Sequence, residues 1–243
     1  MHKQHKRIAE KPGKAILFIH GITGTPLHFA PFLELVPSNY SVYNMLLDGH
    51  GKGVRDFSRT SMKKWEQQVG EAVEELSRQH TEIYVVAHSL GSLLAIEQAI
   101  KTDKIKKMFL LAVPVKLSVK PATVTTSLKV FFDKIDPKDS MSVAAKACYG
   151  IQRDRNPLHY IGWIPRFLEL FSKISKIRKS LDKLKTPCLA YQSLQDEKVS
   201  VKSVSILSQN PHISVTRLKN SAHYYYDGDD LLFLKKEFEN FIL

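Results

Sequence analysis

Four runs of this 243-residue chain, at 15–19, 42–47, 83–87 and 108–113, are almost unbroken apolar stretches too short to be helices. A strand covered on one face alternates between apolar and polar residues. A strand apolar throughout is covered on both faces, as in a parallel sheet held between two layers of helices. Two further runs, 188–191 and 213–218, extend the series. Helical patterns lie between them. Trp65, Val69, Ala72, Val73 and Leu76 share one helical face, with Glu71, Glu74, Glu75 and Arg78 elsewhere. Leu231, Leu232, Leu234, Phe238 and Phe241 give the last helix a similar stripe. The expectation is an α/β fold with a mostly parallel central sheet of about six strands flanked by helices. No strand is read ahead of 15–19.

The alternation breaks between 116 and 185, where Pro121, Pro137, Pro157 and Pro165 punctuate helical pieces. Phe167, Leu170, Phe171, Ile174 and Ile177 form one face, with Lys173, Lys176, Arg178 and Lys179 expected to face away. This divides the chain into a core of residues 1–115 and 186–243 and a helical cap insertion of residues 116–185. The cap is expected over the carboxyl edge of the sheet, where open α/β sheets bind ligands.

The charge has the same address. The chain carries a net charge of +12, and residues 116–185 hold 15 Lys or Arg against 6 Asp or Glu. No stacking-aromatic signature, finger spacing or basic-region heptad accompanies the excess, so no nucleic-acid partner is expected. A solvated basic face is the plainer reading, and weak attraction to anionic lipid surfaces the sharper one. No apolar stretch approaches a membrane span. The basic start, Met1 to Arg7, leads into no long apolar segment or cleavage site, so it does not read as a secretory signal. Cys148 and Cys188 make neither a disulfide framework nor a metal-binding spacing, which suits a reducing cytoplasm.

The run 83–87 ends in Ala87-His88-Ser89-Leu90-Gly91 and continues into an apolar helix pattern. A serine in a sharp strand-to-helix turn stands exposed at the top of the sheet, flanked by small residues because the backbone there is cramped. The usual G-x-S-x-G has Ala87 in its first position here. The amide of Leu90, opening the helix, is one candidate oxyanion donor, and that of Ile22, in the loop "FIHGITGTP" at 18–26, is the second. That loop lacks the Lys-[Ser/Thr] of a phosphate loop, which rejects a nucleotide-binding reading. Ser193-Leu194-Gln195-Asp196 follows the run at 188–191, and Asn220-Ser221-Ala222-His223 follows 213–218. Serine, then acid, then histidine, each after a different strand, is the order of a nucleophile–base–acid triad on this kind of sheet. Ser89, Asp196 and His223 are therefore the candidate catalytic residues, with Glu197 adjacent to the acid. Asp227, Asp229 and Asp230 are assigned to the start of the terminal helix. His20, His50 and His88 read as neighbours of glycine-rich turns, His2 and His5 as parts of a frayed terminus, and Tyr224, Tyr225 and Tyr226 as packing.

On HGITGT at 20–25, DGHGKG at 48–53, AHSLG at 87–91, Asp196-Glu197 and SAH at 221–223, nearly the whole chain resembles the small bacterial carboxylesterases and monoacylglycerol lipases of the α/β-hydrolase fold. The resemblance implies a serine hydrolase with a small mobile cap, a Ser89–His223–Asp196 triad, an oxyanion hole at Ile22 and Leu90, and no cofactor or metal. The expected substrates are short- to medium-chain acyl esters or monoacylglycerols. Thioester hydrolysis or acyl transfer would use the same acyl-enzyme, whereas a dehalogenase would want aspartate at 89. The alternative of another class is a non-catalytic α/β-hydrolase that binds an apolar ligand.

Overall fold

The apolar runs become the middle of a seven-stranded sheet. A computed structural model describes residues 3–10, 13–118 and 120–243, so Met1 and His2 of the basic terminus, and Val119 of the insertion, lie outside the described residues. The strands are β1 (His5–Arg7), β2 (Lys14–Ile19), β3 (Tyr40–Asn44), β4 (Glu82–His88), β5 (Ile105–Leu111), β6 (Cys188–Ser193) and β7 (Ile213–Leu218). Their order across the sheet is β1-β3-β2-β4-β5-β6-β7. Every pairing is parallel except β1 with β3. The fold is α/β as expected, with one strand more than the six read from sequence.

That extra strand corrects the expectation that nothing precedes 15–19. β1 reads His-Lys-Arg and carries no apolar signal; it is held by main-chain pairing of His5, Lys6 and Arg7 with Asn44, Tyr43 and Val42. Its side chains help from outside. Lys6 lies 4.1 Å from the Tyr43 ring centroid and pairs with Glu75 at 3.0 Å. His5 is thus part of a strand.

The helices are α1 (Ala30–Leu33), α2 (Val54–Arg59), α3 (Met62–Gln79), α4 (Leu90–Lys101), α5 (Pro121–Phe132), α6 (Ser140–Cys148), α7 (Ile164–Ser180), α8 (Lys202–Leu207) and α9 (Gly228–Ile242). α3 buries the face its sequence pattern predicts, Trp65, Val69, Ala72, Val73 and Leu76, and starts where Ser61 Oγ accepts the amide of Lys64. α3, α4 and part of α7 cover one side of the sheet around Leu17, Val85, Ala87 and Leu110. α9 covers the other, where Phe238 and Phe241 meet Phe109 at ring distances of 5.7 and 5.5 Å. Leu232, placed in that stripe by sequence, is exposed because the buried face turns through Leu234 and Ile242 instead.

The insertion divides in two. α5 buries none of its residues, and Val124, Leu128 and Phe132 are all at least half exposed. α7 instead sinks Leu170, Ile174 and Ile177 into the core beside α3 and α4, while Phe171, read as part of the same stripe, stays exposed. Lys173 does not face away. It lies between Leu170 and Ile177 on the packed face, and its Nζ meets Glu66 and Glu97 at 2.5 Å each. Lys176 joins Glu97 at 2.8 Å. Two carboxylates from outside residues 116–185 thus offset part of that segment's positive excess, while Lys129 and Lys146 pair within it, with Asp139 and Asp133.

Candidate active site

The turn from β4 to α4 is tight enough to dictate its residues. Ser89 adopts φ 51° and ψ −119°, a left-handed backbone that a side-chain-bearing residue holds only when its surroundings impose it. Its amide donates to Leu111 O at 2.9 Å and its carbonyl accepts the amide of Ser92 at 2.9 Å. Two residues on, a Cβ at Gly91 would stand 2.0 Å from Ile19 O, so only glycine lets α4 start this close to the end of β2. Leu90 is the first residue of α4, where amides have no acceptor within the helix and the dipole favours negative charge.

The loop after β2 crosses directly above. A Cβ at Gly21 would touch Ser89 Cβ and His88 Nδ1 at 3.0 Å each. His20 pins this loop: its Nδ1 donates to Gly21 O at 2.8 Å, which leaves Nε2 to accept the amide of Leu47 at 3.0 Å. Thr23 takes a left-handed φ of 56°. Gly150, just past α6, donates to Thr23 O at 2.7 Å and accepts from the amide of Gly51 at 2.7 Å. The segment after α6 is therefore stitched to the loop carrying Ile22 and to the DGHGKG turn.

Asp196 and His223 meet on the loops after β6 and β7. His223 Nδ1 lies 2.9 Å from Asp196 Oδ2, and both side chains are buried. The other carboxylate oxygen accepts the amides of Lys198 and Val199, each at 2.8 Å. Burial alone would raise the Asp196 pKa, but the charge and hydrogen bond of His223 and these two amides outweigh it and hold the carboxyl below its usual range. An ionised Asp196 fixes Nδ1–H as the donor and leaves His223 Nε2 with its lone pair. The structure thus brings Asp196 and His223 into contact, and the link to Ser89 runs through its chain neighbour His88, which donates from Nε2 to His223 O at 2.9 Å, with the two rings 4.7 Å apart.

Sequence reasoning missed several supports. Glu197 is buried and its Oε2 accepts the backbone amide of His223 at 3.0 Å. Asp230 does not merely start α9; its carboxylate accepts the amides of Lys219, Asn220 and Ser221 and the Ser221 hydroxyl, clamping the loop ahead of His223. Tyr224 donates to Ile22 O at 3.2 Å. His28 bonds Tyr226 Oη at 2.9 Å, stacks on His88 at 4.0 Å and sits 3.5 Å from the Cys148 sulfur. Burial, with the charge of His223, lowers His28 to about 3, and burial pushes the Cys148 thiol up to about 12, so both are neutral near pH 7. The Ala87–Gly91 turn and chain order signalled the candidate site; of these supports only Glu197 lies at a quoted motif, and nothing there signalled its bond to the His223 amide. Among the described residues no three His, Cys, Asp or Glu side chains converge as metal ligands.

Residues 16–195 match the sequence profile of the alpha/beta hydrolase family. A thermostable monoacylglycerol lipase from Bacillus sp. (strain H-257) is 25% identical over 240 residues, covering 96% of this chain and 92% of the relative. Among solved structures, one from the pair of metagenome-derived lipolytic enzymes LipS and LipT superposes with a TM-score of 0.73 at 17% identity, over 97% of this chain and 95% of the other. A monoacylglycerol lipase from Paleococcus ferrophilus gives 0.65 at 19% identity, over 98% and 95%. At these identities the structural likeness is one of fold.

Proposed function

This chain belongs to the alpha/beta hydrolase family, and from that premise we propose that it is a serine hydrolase of carboxylic esters acting through Ser89, His223 and Asp196. The observation that carries the reading is the left-handed Ser89 between β4 and α4, with a buried His223–Asp196 pair at 2.9 Å on the loops after β6 and β7. The similarity to a monoacylglycerol lipase supports esters as the substrate class. Short- to medium-chain acyl esters or monoacylglycerols suit the apolar cap.

In this reading Ser89 Oγ attacks the ester carbonyl as His223 Nε2 takes its proton. Asp196 holds the imidazole tautomer and stabilises the imidazolium. The tetrahedral oxyanion accepts the amides of Ile22 and Leu90, the latter at a helix N-terminus. His223 returns the proton to the leaving alcohol, and water attacking the acyl-serine repeats the sequence. Residues 116–185 form the cap over this centre, Gly150 being its contact with the oxyanion loop. The buried, free Cys148 and Cys188 suit a cytoplasmic setting.

Hydrolysis of p-nitrophenyl esters from acetate to laurate, wild type beside Ser89→Ala, tests this. The serine variant is expected to lose roughly 10³–10⁶ in turnover and labelling by a fluorophosphonate. Equal rates in the two proteins would reject Ser89 as nucleophile.

A further inference from the structure

Lys198 follows Asp196 and Glu197 on the loop after β6 and takes no part in the steps above. Its Nζ lies 4.3 Å from the centroid of the Tyr224 ring. Tyr224 packs edge-on against His223, with centroids 4.9 Å apart, and its hydroxyl reaches Ile22 O at 3.2 Å. The cation is therefore one ring removed from both the candidate base and the candidate oxyanion loop, and the thiol of Cys148 is close enough to feel its charge. Lys198 is partly buried. Among the described residues no carboxylate comes within 4.0 Å of its Nζ. Glu197, next in the chain, is committed elsewhere, to the amide of His223. Burial holds the Lys198 pKa below the ordinary lysine value.

An ammonium drawn out of water without a contact ion pair is costly; Glu197 and Asp196 attract it only from beyond 4.0 Å and do not offset its burial, and an aromatic face recovers only part of the loss. Lys173, more deeply buried, is enclosed by two carboxylates. Lys107 shares the state of Lys198, its Nζ 4.3 Å from the Tyr84 ring, but it lies on β5 opposite Tyr84, away from the loops that carry Asp196 and His223. We infer that Lys198 is a specificity-determining residue whose ammonium pairs with a carboxylate, or a comparable anion, carried by the substrate close to its scissile ester. A neutral ester would displace water from the ammonium and give nothing back. An anionic one would form a charge-assisted hydrogen bond in a partly desolvated site. This inference rests on the serine-hydrolase reading and narrows its substrate class to acidic esters.

The test compares matched pairs that differ in one charge. On the acyl side these are p-nitrophenyl hydrogen adipate and p-nitrophenyl methyl adipate. On the alcohol side they are 4-carboxyphenyl butyrate and its methyl ester. Each is assayed with wild type, Lys198→Met and Lys198→Arg, whose folding is checked by thermal melting. In one pair the acid-to-methyl-ester ratio of kcat/KM is expected to fall about tenfold or more in Lys198→Met, mainly through KM, and to be largely restored in Lys198→Arg. The responding pair identifies the side of the ester that bears the anion. Ratios unchanged within about twofold in both pairs, with the neutral esters still turned over, would overturn the role of Lys198 alone. No turnover of any substrate and no fluorophosphonate labelling of wild type would overturn the hydrolase reading and this one together.

Discussion

Gly91 leaves no room for a side chain, because a Cβ would stand 2.0 Å from the carbonyl oxygen of Ile19. Relief would require β2 and the start of α4 to separate at the point where both are fully buried. Gly91→Ala is expected to destabilise the protein by more than about 4 kcal/mol, seen as a fall in the urea midpoint or a loss of soluble protein. Asp230 acts more gently, since it holds the amides of 219–221 rather than a reacting atom. In the proposed mechanism Asp230→Ala is expected to lower kcat about tenfold with little change in KM, because His223 loses its fixed bearing while substrate contacts remain. Steady-state kinetics on p-nitrophenyl butyrate would show it. Ser89, Asp196 and His223 were legible as candidates because their order and their positions after successive strands are properties of the chain. Glu197, Asp230 and Tyr224 were not, because each works through a backbone amide or carbonyl that only the folded loops bring within reach.

Among the elements, legibility followed burial. The strands apolar throughout and the strongly amphipathic α3 declared themselves; β1, a basic edge strand held by main-chain pairing, did not. α7 was half right, because the carboxylates that draw Lys173 inward belong to α3 and α4 and leave no trace in its own periodicity. Glu97 is the centre of that network. Burial would raise its pKa, but Lys173 and Lys176 override this and hold it at about 2. A carboxyl depressed in the folded state contributes stability above its ordinary titration range and loses it as pH falls toward the folded value. Glu97→Gln is expected to cost about 3 kcal/mol at pH 7 and to blunt the loss of stability below pH 4.5, measured by denaturant titration across pH. Gly150 governs a different junction. A Cβ there would approach Gly24 O to 2.3 Å, so Gly150→Ala should push the segment after α6 off the loop carrying Ile22, which the proposed mechanism uses as an oxyanion donor. A fall of about 10² in kcat/KM is expected, with a melting temperature far less affected than by Gly91→Ala.

Over the whole molecule, the buried histidines set how stability responds to mild acid. Burial lowers His28 to about 3 and His50 to about 4, and holds His88 well below its usual 6.5. The unfolded chain takes up these protons near pH 6.5 and the folded chain does not. Stability is therefore complete above that pH and falls below it, by up to roughly 1.4 kcal/mol per pH unit for each histidine. Unfolding free energies at pH 7 and 5 should differ accordingly, and His28→Asn should reduce the slope; a flat profile would contradict the assignment. The edge of the sheet carries a consequence of another kind. β1 places His5, Lys6 and Arg7 along the outer side of β3, whose own residues, Tyr40–Asn44, are all buried. Strand edges that are basic and only three residues long are poor templates for another chain. Deleting residues 1–8 would uncover the main chain of β3 and turn a dispersed protein into one that adds copies edge to edge, which light scattering would register as concentration-dependent growth.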